Sequence, residues 1–87
     1  GLVALEDLAA RIAAQHGLTM EILCSPSRAR HVCRVRAIIA WHAKVSGIAT
    51  LSDVARRFGR STAAISLAIS GLRRGHPGVL TLGKVAD

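Results

Sequence analysis

The chain has 87 residues, of which 51% are apolar, and twelve Lys and Arg side chains against five Asp and Glu give it a formal charge of +7. A chain of this length forms one small domain, which needs nearly all its apolar side chains for its own core and has little left to enclose a substrate cavity. No apolar stretch approaches the roughly 20 residues that a membrane-spanning helix needs, and no signal-peptide pattern opens the chain. Ala, Leu, Ile and Val are abundant, whereas Trp41 and Phe58 are the only aromatic residues. The composition therefore favours packed helices and argues against an all-β fold.

The reactive side chains form no recognisable catalytic or metal-binding motif. Cys24 and Cys33 are nine residues apart, and the four histidines lack the spacing of a zinc site. Five acidic residues leave few candidates for acid–base catalysis, and no serine has evident histidine and carboxylate partners. We therefore predict no enzyme activity, no metal and no cofactor, with both thiols reduced, as is usual for a cytoplasmic protein.

Two helices are predicted before residue 25. The first has apolar residues at the spacing of one buried helical face, namely Leu5, Leu8, Ala9, Ile12 and Ala13. Glu6 and Asp7 are expected near its start, where the helix dipole favours negative charge. Gly17 ends this helix, and Thr19 is a suitable cap for a short second helix over Met20–Leu23.

Ser25-Pro26-Ser27 is a break followed by the start of a longer third helix, since Pro is tolerated at the first helical position and Ser caps well, and this helix ends near Gly47. Its apolar stripe comprises Val32, Val35, Ile38, Ile39, His42 and Val45. Arg28, Arg30 and Arg34 crowd its amino-terminal end, where each cation opposes the helix dipole by a few tenths of a kcal/mol. Because folding alone would not select cations there, we predict that they bind an external anion.

The segment 51–69 has the spacing of a helix-turn-helix. Thr50 begins a capping-box pattern for a short fourth helix that stops at Gly59, and Gly59 can take the positive φ that the turn needs. Ser61 then caps a last helix. Its buried side comprises Ile65, Ala68, Ile69 and Leu72.

The positive charge lies mainly in the middle of the chain, since residues 25–74 hold ten of the twelve cations and only Asp53 among the acids. Positive charge that is concentrated in one region and carried mostly by Arg indicates a polyanionic binding partner. A helix-turn-helix places its second helix in the major groove of DNA. We therefore predict duplex DNA as the partner. The residues expected to face bases are Ser61, Thr62, Ala63, Ser66 and Ser70. Those expected to hold phosphates or the minor groove are Arg28, Arg30, Arg34, Arg36 and Arg60.

Residues 5–74 resemble the carboxy-terminal duplex-binding domain of the bacterial chromosomal replication initiator DnaA. The segment LEDLAARIAAQHGLTMEIL is similar to the opening helix and short second helix of that domain. Arg34-Val35-Arg36, followed by Ala37-Ile38-Ile39, is similar to the R-x-R and apolar run of its third helix. In the family such arginines approach the minor groove and the backbone, so the resemblance implies these roles for Arg34 and Arg36.

The turn of the motif departs from the initiator. Residues 59–65 read GRSTAAI, whereas the initiator signature is G-G-R-D-H-T-T-V, one residue longer and with the Asp-His-Thr-Thr that reads its own box. The shorter turn is more similar to DnaA-like domains appended to transposases associated with repeated extragenic palindromes. The resemblance implies an all-α, five-helix DNA-binding module of a transposase or an initiator-like protein, located in the cytoplasm at the nucleoid.

We expect residues 1–75 to form this domain and 76–87 to form a tail that packs on the core, pairs as a strand or is disordered. Because the first residue is Gly1 and not Met, we expect the chain to be part of a longer protein. Two alternatives remain open. One is a helical protein-interaction domain that binds an acidic partner or oligomerises through residues 79–82, and the other is a role at RNA or a membrane surface.

Overall fold

The computed structural model describes residues 2–75, which form five helices and no strand. The all-α, five-helix prediction is therefore confirmed. The helices are α1 (Leu2–Gln15), α2 (Met20–Leu23), α3 (Arg30–Val45), α4 (Leu51–Arg57) and α5 (Thr62–Gly75). The predicted tail, 76–87, lies outside the described residues. No helix within 2–75 has the length and apolar character needed to cross a membrane.

Helix α3 is the centre of the fold and contacts each of the other four helices. Six consecutive residues, 35–40, are buried, which occurs in a helix only when neighbours cover it on all sides. Ala37, Ala40 and Ala43 are completely buried, and their small side chains let the surrounding helices approach α3 closely.

Local capping sets three of the helix starts as predicted. The Thr19 hydroxyl accepts a hydrogen bond from Ile22 N in α2, and the Ser61 hydroxyl accepts one from Ala64 N in α5. At α4, Thr50 and Asp53 form a complete capping box, in which each side chain accepts from the other residue's backbone N–H at 3.1 Å.

Two local predictions were wrong. Helix α3 begins at Arg30 with Ala29 as its N-cap and not within the Ser-Pro-Ser segment, where Ser27 accepts from Ala29 N inside the preceding loop. Helix α1 begins at Leu2, so Glu6 and Asp7 lie beyond its first turn. The residues ahead of Glu6 are mostly good helix formers, which extends the helix further towards the amino terminus than the charges suggested.

Helices α4 and α5 pack as the predicted helix-turn-helix. Val54, Phe58 and Ile65 are buried between them and the rest of the core, and Ala55 is small where α5 crosses. The turn closes through a 2.8 Å hydrogen bond from Arg60 N to Ala55 O, and Gly59 has a φ of +67°. This turn fixes the angle at which α5 leaves the body of the domain.

Candidate nucleic-acid interface

A groove runs between α5 and the segment that leads into α3. It consists of two adjoining cavities of about 420 and 530 Å³, which share Arg28, Cys33 and Ala68 in their lining. We call it the arginine groove, after its basic lining residues: Arg28, Arg30, Arg34, Arg36 and Arg60. In the described part of the chain no acidic side chain lines either cavity.

Helix α5 forms the opposite wall of the groove with small residues. Ala64, Ala68 and Gly71 fall at i, i+4 and i+7, so they share one side of the helix. Their small size leaves the groove open to a ligand that approaches the arginines. Sequence analysis missed this wall, although the spacing of the three residues marks one helical side.

The acidic groups that form ion pairs lie elsewhere. Arg57 binds the Glu6 carboxylate through Nε and Nη2, and Arg56 lies 3.8 Å from Asp53. These are the ion pairs of residues 2–75, so Arg28, Arg30 and Arg34 have no carboxylate partner there. Three uncompensated arginines on one groove give it a strongly positive potential.

Arg36 requires a correction. The sequence placed it at phosphates or the minor groove, but its side chain is only 2% exposed. Its guanidinium donates from Nε to Leu23 O, from Nη1 to Ser27 O and from Nη2 to Ser25 O, each at 2.8 Å. Burial lowers the pKa of Arg36, and the nearby charge of Arg60 lowers it further. Arg36 therefore holds the loop before α3 in place and is not presented to a ligand as an exposed contact.

A signal for this role is present in the sequence. Arg36 lies four residues after Val32 and three before Ile39, which places it on the apolar face of α3. Arg34 lies off that face and is half-buried, whereas Arg28 and Arg30 are exposed.

Arg60 is only partly available. It is half-buried, and its Nη2 donates to Ser25 O at 2.9 Å and to Ser27 O at 3.2 Å. The expectation that Arg60 extends to a DNA phosphate therefore needs revision, because part of its guanidinium is bound to the loop. The remainder lines the floor of the arginine groove.

The residues predicted to face bases are all exposed, Ser61 just before α5 and the other four on the exposed side of that helix. Ser61, Thr62, Ala63, Ser66 and Ser70 are exposed. We call this side the front of α5, and it also includes Leu67, which is 73% exposed. Leu67 lies three residues after Ala64 and four before Gly71, so the front adjoins the wall of the arginine groove. The arginine groove thus adjoins a front that is uncharged as far as residue 72, with the exposed Arg73 and Arg74 in the last turn of α5.

Two hydroxyls of the front are engaged locally. Ser61 caps α5, and Thr62 donates from Oγ1 to Ser52 Oγ at 3.3 Å.

Both cysteines are free thiols, and Cys33 lies in the groove beside Arg36. Within residues 2–75 no group of three or more His, Cys, Asp and Glu side chains is placed to hold a metal ion.

Comparison with known proteins gives no further guide to this surface, because no family model, curated protein or solved structure matches the chain.

Proposed function

We propose that this domain binds double-stranded DNA through the arginine groove and the front of α5. The observation that carries the proposal is the position of Arg28, Arg30 and Arg34. These three arginines have no acidic partner in residues 2–75, and they line a groove that adjoins the exposed front of a helix-turn-helix, which carries no acidic side chain in those residues. A polyanion of regular shape fits this combination better than a small ligand does.

In the proposed complex, α5 lies in the major groove, which is about 12 Å wide and admits one helix. Its 14 residues extend over about 21 Å. The hydroxyls of Ser66 and Ser70 face base edges, and Leu67 and Ala63 offer apolar contacts to thymine methyl groups. Arg28, Arg30 and Arg34 contact the phosphates of the strand that borders the groove.

The resemblance of residues 5–74 to the DnaA duplex-binding domain supports the same proposal. By this interpretation the domain belongs to a transposase or an initiator-like protein and acts at the nucleoid. The buried position of Arg36 departs from what the resemblance implied for it, whereas Arg34, although half-buried, lines the arginine groove. We therefore assign phosphate contact to Arg34 and not to Arg36.

The proposal predicts a steep dependence of affinity on salt. Three neutralised phosphates give a slope of log K against log [salt] of about −3. The experiment is a fluorescence anisotropy titration with a short labelled duplex of random sequence at several salt concentrations. Replacing Arg28, Arg30 and Arg34 together by Ala is expected to remove most of that slope.

Each single replacement, Arg28→Ala, Arg30→Ala or Arg34→Ala, is compared with Arg11→Ala, which removes the same charge. Arg11 is exposed on α1 and does not line the groove, so removing it lowers the net charge without changing the proposed contacts. Affinity that is independent of salt, or a triple variant that binds as tightly as the original chain, would contradict the proposal. Stronger binding to duplex RNA than to DNA in a competition assay would also contradict it.

A further inference from the structure

The smaller cavity of the arginine groove has features that a general basic surface does not explain. It has a volume of about 420 Å³ and lies where Gly59, Arg60 and Ser61 lead into α5. Arg28, Arg36 and Arg60 all line it, and no acidic side chain of the described residues does. We call this cavity the Arg60 pocket.

Two of its guanidinium groups are held close together without a counter-charge. Arg36 and Arg60 donate to the same carbonyl oxygens, Ser25 O and Ser27 O, at distances of 2.8 to 3.2 Å. Neither forms an ion pair within residues 2–75. Neighbouring like charges in a partly buried place are unfavourable unless an opposite charge joins them.

Arg60 also has an unused donor. Its Nε is the one buried side-chain nitrogen or oxygen of the described residues that has no hydrogen-bond partner. A buried donor without an acceptor is unfavourable, and an oxyanion bound beside Arg60 adds a negative charge close to this donor.

Ser61, the residue just before α5, adds a neutral donor to the same place. Its hydroxyl accepts from Ala64 N, which leaves its own hydrogen available, and Ser61 lines the pocket. Charged and neutral donors therefore converge on one cavity.

We propose that the Arg60 pocket is a binding site for a single phosphate group, held by Arg28, Arg60 and the Ser61 hydroxyl. The site stands on this geometry, and only the source of the phosphate rests on the proposed function. A DNA backbone phosphate and free inorganic phosphate present the same oxyanion chemistry, and the experiment below distinguishes them.

The test is titration of the full chain with inorganic phosphate, without DNA, at ionic strength held constant with sodium chloride. The readouts are the melting temperature and the backbone amide NMR shifts. We expect a saturable rise in the melting temperature and the largest shifts at Arg60 and Ser61, which line the pocket. Phosphate also stabilises proteins by exclusion from their surface, but that effect does not saturate and does not shift particular amides.

Two single-residue variants test whether phosphate binds in the Arg60 pocket. Arg28→Gln is expected to weaken phosphate binding about tenfold, because it removes a charge-assisted hydrogen bond from an exposed position. Arg11→Gln removes the same charge outside the groove and is expected to leave phosphate affinity within about twofold, since its charge acts only through screened solvent. Phosphate that acts no differently from chloride would overturn the site, as would equal effects of the two variants.

A second arm with duplex DNA separates this inference from the proposed function. If the phosphate comes from the DNA backbone, free phosphate competes with the duplex, and Arg28→Gln weakens both. Saturable phosphate binding by a domain that ignores DNA would keep the pocket, assign it to a free phosphate and refute the proposed function. DNA binding without phosphate binding would refute the pocket alone.

Discussion

Arg36 of α3 and Arg60 of the α4–α5 turn donate hydrogen bonds to the same two carbonyl oxygens, those of Ser25 and Ser27. The loop that carries Arg28 is thereby fixed both to the central helix and to the helix-turn-helix. Two cations that sequence analysis assigned to DNA are thus used, wholly or partly, to shape the surface that the remaining arginines present.

Arg36→Ala is expected to destabilise the fold and not only to weaken DNA binding. The change removes the Arg36 hydrogen bonds to Leu23 O, Ser25 O and Ser27 O, leaves only Arg60 on the last two, and opens a space in the interior. We expect a loss of about 3 kcal/mol in the free energy of unfolding, and a fall in melting temperature of more than about 10 °C. Urea unfolding followed by circular dichroism measures it.

Arg30→Ala is the control for that loss. Arg30 is exposed at the start of the same helix, so its removal is expected to change stability by less than about 0.5 kcal/mol. Equal stability of the Arg36 and Arg30 variants would show that the buried guanidinium does not hold the loop.

Much of the fold follows from local signals. Thr50 and Ser61 were predicted as caps because their hydroxyls precede apolar helical patterns, and both accept the expected backbone hydrogen bond. Such features depend on residues a few positions apart, which a sequence displays directly. The five helices and the buried face of α5 follow for the same reason.

Which arginines are buried in structural roles and which face the groove does not follow from local signals. Arg34 and Arg36 are two residues apart and identical in chemistry, yet one is accessible and the other is 2% exposed. The difference arises because the carbonyls of the loop at 23–27 come to lie beside α3, which is a tertiary arrangement. The small-residue wall of the groove depends in the same way on how α5 packs against α3.

Leu67 is expected to determine a preference for thymine. If the front of α5 lies in the major groove, its exposed side chain meets a thymine methyl group, and burying one methyl contributes about 0.8 kcal/mol. Replacing thymine by deoxyuridine in a duplex selected from a random pool is therefore expected to weaken binding about fourfold. Leu67→Ala is expected to abolish the difference between the two duplexes.

Val3→Ala provides a matched comparison, since Val3 is 77% exposed on α1, away from the proposed contact. This variant is expected to retain the full preference for thymine. A preference that survives in Leu67→Ala would place the methyl contact on another residue.

The pair Glu6–Arg57 is expected to make stability depend on pH. The hydrogen bonds from Arg57 lower the pKa of Glu6 below its usual 4.5. A carboxyl whose pKa is lower in the folded state stabilises the fold above its unfolded pKa, and this stabilisation is lost as the pH falls through the folded pKa. Because both side chains are about 40% exposed, solvent screens the pair and its contribution at pH 7 is at most about 1 kcal/mol.

The measurement compares the original chain with Glu6→Gln in urea at neutral pH and at a pH below the folded pKa of Glu6. The variant is expected to be less stable at neutral pH and equally stable in acid. Glu21→Gln, at an exposed position without an ion pair in residues 2–75, serves as the control. A penalty of the same size at both pH values would mean that Glu6 acts through packing and not through its charge.

Gly59 and Gly71 are expected to respond in opposite directions to replacement by Ala. A Cβ at either position meets no atom within 4 Å, so the backbone conformation decides the outcome. Gly59 has a φ of +67°, where a side chain is strained, and Gly59→Ala is expected to cost about 1 kcal/mol. Gly71 is inside α5 with an ordinary helical φ, and Gly71→Ala is expected to stabilise the fold by about 0.5 to 1 kcal/mol.

Gly59→Ala and Gly71→Ala also test how the turn and the groove wall contribute to the binding of phosphate and DNA. Gly59→Ala disturbs the turn that holds Arg60, so it is expected to weaken the binding of both phosphate and DNA, measured in conditions where the variant remains folded. Gly71→Ala adds one methyl group to open space on the groove wall and is expected to leave phosphate binding unchanged, because Gly71 does not line the Arg60 pocket. If both variants lose stability, α5 does not continue through Gly71 as a regular helix, and the small-residue wall assigned to it is wrong.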